Sequence, residues 1–322
     1  MSLLLFSSEL YTQLRDGVCR LGGFDSGEVE RATFPDGERY QRILTPVVDR
    51  EVVLIAGAID DGEISLIFDL ASGLVECGAN QLTLLLPYFA YSTMDRADKP
   101  REVVTAKTRA ALLSAIPRAA MGNRVAILDP HSEGLPYYFA SGLGATGIST
   151  APLVEQTARR LGGNDFVLAS TDAGRAKWVQ RVARRMGVPA AFAHKRRLGP
   201  DRTEIVALLA DVQGRHVIIY DDMIRSGASM LGAARAYHEA GASKVSAITT
   251  HGVFPAKSLD GLESSGLFDR LIATDSHPRA VALAGRFLSI ESVAPLIAEF
   301  LAAGARPSNT CQPHSTELLS VN

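Results

Sequence analysis

Short apolar runs recur along the chain, most of them followed by a segment with apolar positions at helical spacing. "EVVLIAG" (51–57) reads as a strand and "ISLIFDLASGLVECGA" (64–79) as a helix that Gly78 helps to end. "QLTLLLPYFAY" (81–91) begins as a strand and becomes a loop at Pro87. "TAKTRAALLSAI" (105–116) reads as a helix and "RVAILDP" (124–130) as a further strand. The alternation then restarts. "DFVLAS" (165–170), "AAFAHKRR" (190–197), "RHVIIYDD" (215–222), "KVSAITTHGVF" (244–254) and "FDRLIATDS" (268–276) read as strands. "RAKWVQRVARRMG" (175–187) and "SMLGAARAYHEAG" (229–241) read as helices between them. Strands apolar at consecutive positions are covered on both faces, as in parallel α/β architecture. Two similar α/β halves are expected, joined near residues 141–155. "VAPLIAEFLAAG" (293–304) reads as a final helix, and the polar, aperiodic residues 305–322 as a frayed tail.

The chain has 322 residues, room for two domains of about 150 each. Its net charge of −2 lacks the basic surplus of a general nucleic-acid binder, although local basic patches stay open. Cys19, Cys77 and Cys311 lie far apart with no CxxC spacing, which suggests neither a zinc site nor a disulfide framework. There is no signal-like segment at the start and no apolar window long enough to span a membrane, so a cytoplasmic protein is expected.

The strongest strand ends in chemistry. In an open α/β sheet, ligands lie beyond the carboxyl ends of strands, where Asp221 and Asp222 are expected. Ser226, Gly227, Ala228 and Ser229 then form a small-residue turn that opens a helix. Such a turn lets backbone N–H groups and hydroxyls approach a phosphate. Two carboxylates beside it would repel that phosphate unless they hold Mg²⁺ or accept from sugar hydroxyls. The alternative is an ordinary strand–turn–helix junction with acidic caps. The phosphate loop GxxxxGK[ST] is absent.

"VIIYDDMIRSGAS" (217–229) resembles the phosphoribosyl-diphosphate loop shared by type I phosphoribosyltransferases and ribose-phosphate diphosphokinases. "FPDGERYQRI" (34–43), "LPYFAYSTMDRADKPREVVTAK" (86–107), "ILDPHSEG" (127–134), "STDAGRAKWV" (170–179) and "HKRR" (194–197) follow in diphosphokinase order, so the resemblance to that family covers about residues 30–300. It implies an α/β fold of two tandem type I phosphoribosyltransferase-like domains with mainly parallel central sheets. The domains expected are 1–148 on the nucleotide side and 149–289 on the ribose-phosphate side, with a helix at about 290–304 returning to the first. It also implies transfer of the β,γ-diphosphoryl group of ATP to the anomeric hydroxyl of ribose 5-phosphate, with Mg²⁺ as cofactor. A homo-oligomer with the nucleotide site at a subunit interface is implied as well, with neither nucleic acid nor membrane as partner.

Residue by residue, the resemblance implies that Asp221 and Asp222 contact the ribose hydroxyls, directly or through Mg²⁺. Ser226, Gly227, Ala228 and Ser229 would cradle the 5-phosphate. His131 and Asp172 match the metal-linked pair; without the resemblance they read as a loop histidine and a cap. Lys195 and Arg197 match the base of a catalytic loop and would neutralise the transferring phosphoryl oxygens; the plain alternative is a solvated basic run. The segment after them, "LGPDRTEIVALLADVQG", is compatible with a flexible lid. Phe34 would stack on adenine, and Asp36 and Glu38 would accept from its amino group, unless this is only a surface turn.

Some letters depart from the family. It usually reads YARQDR where this chain has "YSTMDR", so Thr93 and Met94 replace Arg and Gln ahead of Asp95 and Arg96 in the nucleotide segment. A bidentate cation becomes a hydroxyl there. Arg225 stands in the ribose-phosphate loop where Asp is common, reversing the local charge. These departures leave two further readings. One is a sugar-phosphate or phosphoribosyl-diphosphate enzyme with a different donor or acceptor. The other is a catalytically weak regulatory subunit that assembles with an active paralog.

Overall fold

The computed structural model describes residues 2–304 apart from 141–142, 173, 198–202 and 209–210. Residues 193–197 and 203–208 are described by backbone alone. The first half comprises β1 (Leu4–Ser7), α1 (Thr12–Gly22), β2 (Asp25–Ser26), a hairpin of β3 (Val29–Thr33) and β4 (Arg39–Ile43), β5 (Glu51–Ile55), α2 (Asp61–Glu76), β6 (Gln81–Leu86), α3 (Thr105–Leu113), β7 (Asn123–Leu128) and β8 (Gly144–Ile148). The second comprises α4 (Ala151–Gly162), β9 (Val167–Ser170), α5 (Ala176–Met186), β10 (Ala190–Arg197), β11 (Thr203–Leu208), β12 (His216–Ile224), α6 (Ala228–Glu239), β13 (Lys244–Gly252), α7 (Ser258–Ser264), β14 (Arg270–Thr274), α8 (Pro278–Ala282) and β15 (Leu288–Glu291); α9 (Ala294–Ala302) follows.

Two sheets result. The first runs β2-β1-β5-β6-β7-β8 and is parallel throughout. The second runs β11-β10-β9-β12-β13-β14-β15 and is parallel except for the β10–β11 pair. Each sheet is covered on both faces, as its apolar strands require. On the first, Leu54, Leu84 and Val125 meet α2 and α3 residues such as Ile67 and Ala110. On its other face, Leu5, Val53 and Ala126 pack with Val18 of α1 and Ile297 and Leu301 of α9. The final helix thus joins the core of the first sheet; Gly17 makes room for it, since a Cβ there would lie 3.3 Å from the Ala294 Cβ. The second sheet packs α6 against one face and α4 and α5 against the other.

Several boundaries differ from the sequence expectation. The second helix starts at Asp61, not 64, because the Asp60 carboxylate caps it by accepting from the Glu63 N–H at 2.8 Å. The strand β12 runs on to Ile224, paired with Gly252, so Asp221 and Asp222 lie within its last residues rather than beyond it. The segment read as a flexible lid contains β11, which returns antiparallel to β10. No helix among the described residues is long and apolar enough to cross a membrane.

Candidate active site

The carboxyl ends of β7 and β12 meet at a cleft between the two halves, where Tyr88, Asp129, His131 and His251 line a cavity. Beyond β7 the chain turns at Asp129, whose φ of 40° is left-handed, a conformation Asp tolerates better than most residues. Its buried carboxylate is held by residues of the other half. Tyr220 of β12 donates to it, and the Thr250 hydroxyl of β13 donates at 2.7 Å. Thr250 also lies 3.0 Å from the Tyr220 hydroxyl and 3.2 Å from that of Thr150. His251 Nε2 lies 3.3 Å from the Asp129 carbonyl, and burial holds its imidazole below the ordinary range.

This turn delivers His131 to Asp222. His131 Nδ1 is 2.7 Å from Asp222 Oδ2, joining residues 91 positions apart. The hydrogen bond to Asp222 pushes the His131 pKa up, against the opposing effect of burial. Arg175, just ahead of α5, donates from Nε to Asp222 Oδ1 at 3.0 Å. Its Nη2 approaches Oδ2 to 2.9 Å as an ion pair without hydrogen-bond alignment, and its Nη1 is 3.9 Å from Asp129 Oδ1. Burial alone would raise the Asp222 pKa; the hydrogen bonds from His131 and Arg175 outweigh it and hold the carboxyl well below the usual range. Asp221 responds the other way. Burial, then the Asp222 charge beside it, push it up to about 7, although the Thr171 hydroxyl donates to it at 2.8 Å. Asp172 lies near enough to add to that push, and its Oδ1 accepts from the Gly174 N–H at 2.9 Å.

The small-residue turn follows directly. Gly227 takes φ 79° and opens α6, leaving Ala228 and Ser229 exposed in the first turn and Ser226 exposed before it. The helix N-terminus therefore presents N–H groups toward solvent, as anion binding requires. Arg225 reaches across the cleft, where its Nη1 donates to the Thr93 hydroxyl at 3.4 Å. The two charge-changing departures in the sequence thus meet in space.

The nucleotide candidates form two groups. Phe34, Asp36 and Glu38 lie at the exposed tip between β3 and β4, where Asp36 accepts from the Glu38 N–H at 3.1 Å and Phe34 packs edge-on to Tyr40. Thr93, Met94 and Arg96 are exposed, and Asp95 is half-buried with its carbonyl accepting from Tyr138. Both groups are anchored at the start of α2: Arg39 donates to the Gly62 carbonyl at 3.0 Å, and the Tyr91 hydroxyl to Asp61 at 3.2 Å. Among the described residues no hydrogen bond or ion pair joins the hairpin tip to the Thr93–Arg96 segment. Lys195 and Arg197 lie on β10, and their side chains fall outside the described ones.

Arg175, Tyr220, Thr250 and His251 were not marked as site residues by the sequence reading. Arg175 carried one signal: a cation at the start of a helix opposes the helix dipole and needs another partner.

Comparison with known proteins bears on the family and the fold. The family model for the N-terminal domain of ribose phosphate pyrophosphokinase matches residues 3–116, and that for the phosphoribosyl synthetase-associated domain matches residues 175–302. A ribose-phosphate pyrophosphokinase of Synechococcus elongatus is 32% identical over 303 residues, covering 92% of this chain and 89% of the relative. One from Methanopyrus kandleri is 34% identical over 277 residues, covering 84% and 89%. The crystal structure of phosphoribosylpyrophosphate synthetase from Mycobacterium smegmatis shares the fold, with a TM-score of 0.83 at 24% identity over 95% of this chain and 99% of that one. The chain belongs to the ribose-phosphate pyrophosphokinase family.

Proposed function

We propose that the protein is an active ribose-phosphate diphosphokinase, converting ATP and ribose 5-phosphate to AMP and 5-phospho-α-D-ribose 1-diphosphate. The observation that carries this reading is the cleft itself. The paired Asp221 and Asp222 stand beside the open N-terminus of α6, while His131 and Arg175 converge on Asp222 from both halves. The α6 turn takes the 5-phosphate, with Ser226, Gly227, Ala228 and Ser229 as its cradle. Asp221 and Asp222 accept from the ribose hydroxyls and fix the anomeric hydroxyl in line with the β-phosphorus. That oxygen bonds to the β-phosphorus, the bond from the β-phosphorus to the α,β-bridging oxygen breaks, and AMP leaves with the bridging oxygen. The hydroxyl proton goes to solvent. Lys195 and Arg197 neutralise the phosphoryl oxygens during the transfer.

Mg²⁺ is assigned to this site as the nucleotide's companion ion, supplying charge neutralisation on the diphosphate when bound. Asp172 and Asp221 are the carboxylates that would hold it. His131 has Nδ1 committed to Asp222, so only its other ring nitrogen is left for such a role. Among the described residues, no three His, Cys, Asp or Glu side chains are grouped to hold a metal ion. That fits Mg²⁺, which keeps waters and binds through one or two carboxylates plus substrate phosphates.

Arg225 at Thr93 places a cation where the segment 91–96 lost one, which supports ATP as donor despite the altered letters. The exposed Phe34, 50% accessible, supports a homo-oligomer in which the hairpin completes a neighbouring nucleotide site. The test is a product assay on the purified protein with ribose 5-phosphate, ATP and Mg²⁺, separating AMP from ADP and the sugar diphosphate from its substrate. AMP and the sugar diphosphate in equal amounts are expected. ADP formation, or no product from folded protein, would overturn the reading in favour of another donor or a regulatory subunit.

A further inference from the structure

Arg175 is placed against expectation. It precedes the first turn of α5, where the helix dipole disfavours a cation, and its side chain is only 14% exposed. Such a residue persists only if other groups stabilise it, and two carboxylates from different sheets do so. Asp222 receives Nε at 3.0 Å and meets Nη2 at 2.9 Å, while Asp129 lies 3.9 Å from Nη1. One turn further along α5, Trp178 stacks on Tyr220 with ring centroids 4.1 Å apart and planes 19° apart, and Tyr220 donates to Asp129. Residues three apart share a helix face. The start of α5 is therefore pinned at two points on the same acidic network, and the guanidinium has little freedom to withdraw.

Each oxygen of Asp222 accepts one hydrogen bond as a result, from Arg175 on one side and His131 on the other. A carboxylate offers about four lone-pair directions. On Asp222, Oδ1 accepts from Arg175, and Oδ2 is shared between Arg175 and His131 at 2.7 Å. A divalent ion joining this carboxylate would have to displace one of these groups or stand beside a buried guanidinium of the same sign. Among the described residues, Asp221, the next residue, accepts no hydrogen bond from a cation; the neutral hydroxyl of Thr171 donates to it at 2.8 Å.

We propose that Arg175 is a positioning residue, a built-in counter-cation that keeps Asp222 off metal ions and aims it at the sugar, so that Asp221 and Asp172 take the ion. The inference rests on the reading of this cleft as a ribose-phosphate site, but its first test does not depend on catalysis. Mn²⁺ alone is titrated into the full-length protein, without sugar or nucleotide, and free Mn²⁺ is followed by electron paramagnetic resonance. Arg175→Ala is expected to bind Mn²⁺ at least tenfold more tightly than the wild type. Adding Asp222→Asn should abolish the gain, and Arg175→Lys should stay near wild type. In steady state, Arg175→Ala should raise the KM for ribose 5-phosphate at least tenfold and leave that for ATP within twofold. Should the alanine variant fail to fold by circular dichroism, Arg175→Gln, which keeps the length without the charge, carries the same expectations. Unchanged Mn²⁺ affinity in a folded variant, or a gain that survives Asp222→Asn, would overturn the proposal. So would a rise confined to the KM for ATP.

Discussion

Tyr220→Phe removes one oxygen from the bridge between the halves and leaves the rest in place. Tyr220 is fully buried; its hydroxyl donates to Asp129 and lies 3.0 Å from the Thr250 hydroxyl. The ring keeps its stack on Trp178, since the phenyl group has the same shape. What is lost is a hydrogen bond to a buried carboxylate, worth roughly 1.5–3 kcal/mol. Thr250 still donates to the same carboxylate oxygen at 2.7 Å, which limits the damage and sets the expectation at about 2 kcal/mol. Trp178 is the chain's single tryptophan, so its fluorescence reports from beside the perturbed group. Urea unfolding followed at that signal should show the loss as a lower midpoint at unchanged slope. A change below about 0.5 kcal/mol, the range of an ordinary surface substitution, would show that Tyr220 does not hold Asp129 and would remove the bridge from the account.

Gly227→Ala should cost about 1–2 kcal/mol and raise the KM for ribose 5-phosphate, because the residue has φ 79° and a Cβ there would lie 3.1 Å from Leu262 carbons; parallel thermal melts and kinetics check both. Phe34→Ala should leave stability within about 0.5 kcal/mol, since the ring is exposed, yet raise the KM for ATP by losing base stacking worth about 1–3 kcal/mol. Burial, with His251 and Arg279 nearby, lowers the pKa of His277 to about 4, against roughly 6.5 when unfolded. The unfolded chain therefore binds the proton first, so this stabilisation is present above about pH 6.5 and is lost as pH falls toward 4, at most about 3 kcal/mol. Unfolding titrations at pH 7.5 and 4.5 should show a shallower pH dependence in His277→Gln than in the wild type.

What was legible in the sequence follows from range. Val217 to Tyr220 are apolar in succession because both faces of β12 are covered, and that alone marks a buried parallel strand. The turn at Ser226–Ser229 was legible because its chemistry is local. The hairpin of β3 and β4 was not, since none of its residues is buried and its half-buried face carries Arg31 and Gln41 beside Val29 and Ile43, so apolar and polar residues do not alternate. β1, only four residues long, is too short to show a period of its own. The network behind Asp222 was illegible for a different reason. His131 lies 91 residues from it and reaches it only where the two halves meet, while Arg175, 47 residues away, reaches it because β9 pairs with β12. The contact between Arg225 and Thr93, 132 residues apart, also crosses between the halves: alone, Thr93 reads as a lost cation and Arg225 as a reversed charge, and the pair reads as a moved cation.

The most direct measurement follows the phosphorus atoms. ATP labelled at both the β- and γ-phosphates is incubated with ribose 5-phosphate, Mg²⁺ and the purified protein, and the products are separated. Both labels should move together onto the sugar, leaving unlabelled AMP. Transfer of the γ-label alone with labelled ADP left behind, or retention of both labels on the nucleotide by folded protein, would contradict diphosphoryl transfer at this site.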